Sequence, residues 1–71
     1  MKWFESNEWT LEDENGKVLA TIYWDTETQS YAWLNVEHAW GTYGYELSEI
    51  EIAKRDAEED VRLKLYFFVE L

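Results

Sequence analysis

A chain of 71 residues with sixteen acidic against six basic side chains carries a formal net charge of −10, which repels phosphate and anionic membrane surfaces and leaves no cationic patch for holding nucleic acid. Without cysteine it can form no disulfide, no thiolate nucleophile and no cysteine-based zinc site. Its length allows one core and a single domain over residues 1–71, and five Trp, five Tyr and three Phe supply the large side chains that so small a core needs.

Residues 9–12 and 17–24 are strand formers on either side of Asp13-Glu14-Asn15-Gly16. Asn-Gly tolerates the positive φ angles of a tight turn, so the segment predicts a β-hairpin, with residues 1–5 extending its first strand and Trp3 and Phe4 covering one end of the core. In the second arm Val18, Ala20, Ile22 and Trp24 share one face, and Leu19, Thr21 and Tyr23 the other. Residues 25–30 are polar and turn-like, and residues 31–36 resume the strand pattern, with Tyr31 and Trp33 on the face opposite Leu34 and Val36. The expectation is a three-stranded antiparallel meander in which one face is left uncovered, exposing Tyr23 or Tyr31 and Trp33.

Gly41-Thr42-Tyr43-Gly44 reads as a turn, and Ser48 followed three residues later by Glu51 as a capping box. Ile50, Ala53, Ala57, Val61, Leu65 and Phe68 fall at spacings of three and four, the apolar stripe of a helix over residues 48–66. The pairs Glu51/Arg55, Glu58/Arg62 and Asp60/Lys64 lie four apart with the acid first, the favourable order on a helix. The fold class is therefore α+β, a three-stranded meander followed by one C-terminal helix packed on the sheet. Alternation over residues 61–71 supports a competing arrangement, a helix ending near residue 60 and then a fourth strand, but no Gly or Asn marks the reversal.

Little here carries catalysis. Asp13-Glu14-Asn15-Gly16 lacks the ligand spacing of a calcium loop, and His38 has only carboxylates for metal-binding company. Ser6, Ser30 and Ser48 sit in no nucleophile motif. The chain is read as a non-enzyme that calls for no cofactor or metal. Cysteine usage, together with the absence of an export signal or membrane-length apolar run, points to a cytoplasmic setting.

Two features carry a binding reading. Glu12, Asp13 and Glu14 on the hairpin, with Glu46 and Glu49 near the helix start and Glu51, Asp56, Glu58, Glu59 and Asp60 along it, spread negative charge that would complement a basic protein surface and imitate a phosphate track. Tyr31 and Trp33, if exposed, would instead dock a partner or a second copy of the chain.

A short meander with an Asn15-Gly16 turn, followed by the acidic helix around Glu49-Ile50-Glu51-Ile52-Ala53-Lys54, resembles the small acidic proteins of phages and mobile elements of the anti-CRISPR and anti-restriction type. The resemblance implies an inhibitor that works in the host cytoplasm by occupying the basic nucleic-acid channel of a host defence complex, while the charge itself opposes direct binding to nucleic acid or membrane. It carries no functional residues over, so the candidate partner-binding set rests on the residues themselves: Glu12, Asp13, Glu14, Glu49, Asp56, Glu58, Glu59, Tyr31 and Trp33. The alternative is an assembly module that homodimerises or docks through its aromatic sheet face.

Overall fold

The computed structural model describes the backbone of residues 1–70 and the side chains of residues 1–63. The chain is α+β, but its sheet has five strands rather than three, β1 (Lys2–Glu5), β2 (Trp9–Glu12), β3 (Val18–Asp25), β4 (Ser30–Asn35) and β5 (Trp40–Tyr45), antiparallel and in chain order. A 3₁₀ turn over Leu47–Glu49 leads into the helix α1 (Ile50–Glu70). Among the described residues no helix is long and apolar enough to cross a membrane.

Two strands depart from the sequence expectation. Residues 1–5 do not prolong β2 but fold back on it through the turn at Ser6, where the Ser6 N–H donates to the Glu8 carbonyl at 2.9 Å. Gly41-Thr42-Tyr43-Gly44 is not a turn but the body of β5. Gly41 is glycine because β5 runs so close to β4 that a Cβ at this position would stand 1.9 Å from the Trp33 carbonyl oxygen. Gly44 has φ +101° and sits where the register slips between Tyr31 and Ala32, a bulge whose extra residue needs the left-handed region.

The hairpin turns share a device. The Asp13 carboxylate accepts the N–H groups of Asn15 and Lys17 at 2.8 and 3.0 Å, that of Asp25 accepts Glu27 N–H at 3.0 Å, and the Asn35 side-chain oxygen accepts His38 N–H at 3.3 Å. Each supplies the turn with a local acceptor where no strand is available. The chain then reverses through a residue at positive φ: Gly16 at 82°, Gln29 at 54° and Ala39 at 53°.

Register fixes the two faces. Directly paired residues share a side of a sheet, so one continuous row runs Trp3, Leu11, Ala20, Asn35, Trp40, and the next runs Glu5, Trp9, Ile22, Trp33, Thr42. These rows face α1. Ile50, Ala53, Ala57 and Val61 of the expected stripe are buried against Leu11, Ala20, Ile22 and Trp33; Leu65 and Phe68 lie outside the described side chains. Alanines at 53 and 57 let the helix backbone come close to the sheet, and the tryptophans fill the flanks.

At the helix start the capping is displaced from Ser48. Glu46 is the N-cap, and the Glu49 carboxylate reaches back to accept its N–H at 2.8 Å. The helix continues through Glu70, so among the described residues no strand forms after residue 60. Of the expected ion pairs Glu58–Arg62 is present at 3.4 Å, Glu51 pairs with Lys54 at 3.1 Å instead of Arg55, and Lys64 lies outside the described side chains.

Candidate functional site

The acids of the helix do not form one solvated face. Trp3, at one edge of the sheet, donates its indole N–H to Glu58 at 3.0 Å, and Trp40, in the strand at the other edge, donates to Asp60 at 3.0 Å. The second Asp60 oxygen accepts the side-chain amide of buried Asn35 at 2.9 Å. A third connection is relayed: Trp33 Nε1 donates to the Tyr45 hydroxyl at 3.0 Å, which donates to Asp56 at 2.7 Å. The helix is thus straddled by tryptophans in outer strands and held by carboxylates. Charge-assisted bonds of this type are stronger than neutral ones and satisfy polar atoms that packing would otherwise strand. Burial pushes the Tyr45 phenol above its ordinary pKa, and donation to Asp56 acts in the same direction.

The expected partner-binding residues therefore part company. Asp56 and Glu58 are committed to Tyr45 and Trp3. Asp13 holds its turn, and the backbone N–H groups of Lys17 and Asn15 keep its carboxyl below the usual range. Glu12 is half-buried and accepts the Thr10 hydroxyl at 3.2 Å. Glu49 caps the helix. Only Glu14 and Glu59 of the set stand free in solvent as exposed side chains. Nor do the acids form one patch: Glu12 and Glu14 belong to the end of the sheet where Glu12 pairs with Val18, whereas Glu49 follows β5 at the Tyr31–Tyr45 end.

The aromatic expectation is corrected by register. Trp33 pairs directly with Ile22, which places it under the helix at 5% exposure, so it cannot anchor a partner on the open face. Tyr31 lies on the same side, half-buried, with ring centroids 5.9 Å from Trp9 and 5.0 Å from Trp24 in edge-to-face geometry. Trp24 shares that side of the sheet with Ile22, as the alternation predicts, but is 48% exposed, at the strand end where it pairs with Tyr31.

Among the described residues nothing covers the opposite face of the sheet. One row runs Phe4, Thr10, Thr21, Leu34, Gly41, and another runs Tyr23, Ala32, Tyr43. Tyr43 is 68% and Phe4 48% exposed, and Tyr23 and Leu34 are half-buried. Between Tyr23 and Tyr43 lies a hollow of ≈ 120 Å³ over Ala32, bounded also by Asp25, Leu34 and Gly41. A broader concavity of ≈ 550 Å³ spreads over β1 and β2 between Phe4, Glu8 and Glu12. Glu8 accepts the Thr21 hydroxyl at 3.4 Å, and the Lys2 ammonium stands 5.9 Å from the Phe4 ring centroid. Alternation in residues 18–25 already separates Tyr23 from the core; Tyr43 is hidden from sequence reasoning because its flanking glycines mimic a turn.

Among the described residues no group of three or more His, Asp or Glu is placed to hold a metal ion. No family model matches the chain, and neither does any curated protein or solved structure.

Proposed function

We propose that this protein binds a basic surface of another protein and acts by occupying arginines and lysines that a nucleic-acid-binding complex uses to hold phosphate. The observation that carries this reading is the balance of exposed charge. Glu5, Glu8, Glu14, Glu27, Glu37, Glu46, Glu51 and Glu59 are exposed, against Lys2, Lys17, Arg55 and Arg62 among the described side chains. Acids remain in excess after those that clasp the helix and shape the turns are set aside. Such a surface attracts cationic proteins over a Debye length, speeds their encounter and repels nucleic acid competing for the same site. Its action would be steric and electrostatic, with one copy of the chain covering one basic site.

The test is immobilisation of the protein, identification of what it captures from bacterial lysate, and reconstitution of that component with its nucleic acid. Loss of nucleic-acid binding at one equivalent of the protein, relieved by raised salt and by Glu14→Lys with Glu59→Lys, is the expected result. Capture of only itself, unaffected by salt, overturns the reading.

A further inference from the structure

Resting on that reading, we propose that the hollow between Tyr23 and Tyr43 is a slot for an arginine side chain of the basic partner, with the two rings as walls, Ala32 as floor and Asp25 as the anionic end. The two tyrosines stand on strands that flank β4, so their backbones are about 10 Å apart, two inter-strand spacings. That separation leaves room for a planar group between the two side chains, and the small side chain of Ala32 keeps the floor clear. Gly41, held free of a side chain by the closeness of the Trp33 carbonyl, leaves another side of the slot open.

Chemistry selects the occupant. The faces of phenol rings are electron-rich and attract cations, and guanidinium stacks on them flat in a way that a compact, strongly hydrated ammonium does not. Asp25 uses Oδ1 to accept Glu27 N–H and is also one of the residues that line the hollow. The face already attracts a cation to a ring within the chain itself, the Lys2 ammonium 5.9 Å from the Phe4 centroid. Glu8 and Glu12 border the neighbouring concavity, so a basic segment laid across the face meets further carboxylates. A second copy of the chain, also at −10, is repelled from this surface at low salt.

Nona-arginine and nona-lysine peptides are the probes, titrated at low ionic strength by calorimetry and by the NMR ring resonances of Tyr23 and Tyr43. The wild-type protein is expected to favour the arginine peptide and to shift both rings. Tyr43→Ala should weaken arginine binding severalfold and level the two peptides, because it removes one of the two rings that face the cation. Asp25→Asn, which retains the turn acceptor, should weaken it severalfold, and both variants should keep the wild-type urea midpoint. If both bind as wild type while Glu14→Gln with Glu59→Gln weakens both peptides, the basic-partner reading stands and the slot is overturned. If neither peptide binds the wild type, that reading fails and takes the slot with it. A concentration-dependent dimer dissolved by Tyr43→Ala would give the face to a second copy and overturn the proposal.

Discussion

Trp3 and Glu58, separated by 55 residues of chain, meet through a hydrogen bond of 3.0 Å that joins the first strand to the helix. Its counterpart on the other side of the helix joins Trp40 to Asp60, and the two tryptophans belong to a single row across all five strands.

Removing Asp60 should be the costliest change among the helix acids. Asp60→Ala deprives Asn35, 2% exposed, of the acceptor for its side-chain amide, and an unsatisfied buried donor costs about 1–3 kcal/mol. Glu59→Ala, at an exposed position, should stay within ~0.5 kcal/mol of wild type. Trp3→Phe should fall between them at about 1 kcal/mol, since its bond is only partly buried. Urea unfolding of the three variants measures the order.

The two glycines of β5 should respond differently to alanine. At Gly41 the added carbon meets backbone of β4, which cannot rotate away, and overpacking of this kind costs about 1–3 kcal/mol or more. At Gly44 there is open space, and the penalty is the left-handed backbone alone, about 1 kcal/mol. Thermal unfolding should show the larger loss for Gly41→Ala.

Alkaline pH should weaken the attachment of the helix through Tyr45. Its folded-state pKa is raised above 10.0, so its contribution is fully present below pH 10 and is lost as pH climbs through the higher folded value. Tyrosinate absorbance should show a late-titrating component in the wild type that is lost in Tyr45→Phe.

Acid acts at the other end of the range. The folded pKa of Asp13 lies below 3.8, so its stabilising effect is present above that value and is lost as pH falls through the lower folded value. Carboxyl-carbon NMR should place the Asp13 midpoint below the ordinary aspartate value of 3.8, and Asp13→Asn should remove this part of the acid dependence.

The sequence made part of this legible. The Asn15-Gly16 hairpin and the stripe through Ile50, Ala53, Ala57 and Val61 follow from turn chemistry and periodicity, and the structure has both. The strand count does not, because residues 1–5 run into β2 with no Gly or Pro at the Ser6 reversal, and Gly41 and Gly44 have the composition of a turn and acquire their strand role only from the approach of β4 and the bulge beside it. The helix acids were legible as charge but not as clasps, since the tryptophans that bind them are distant in sequence. Trp33 lies under the helix rather than on the open face because it pairs with Ile22, a matter of register that one strand's alternation does not determine.

The order of the strands has a kinetic meaning. Every neighbour in the sheet is also a neighbour in the chain, so each pairing closes a short loop at little entropic cost. The long closures are made when α1 comes down and Glu58 reaches Trp3. If the hairpins form before that event, the bond is absent from the folding transition state, and Trp3→Phe speeds unfolding while leaving the folding rate nearly unchanged. The two outer tryptophans then act as latches, setting how long the helix stays down rather than how fast the sheet is built.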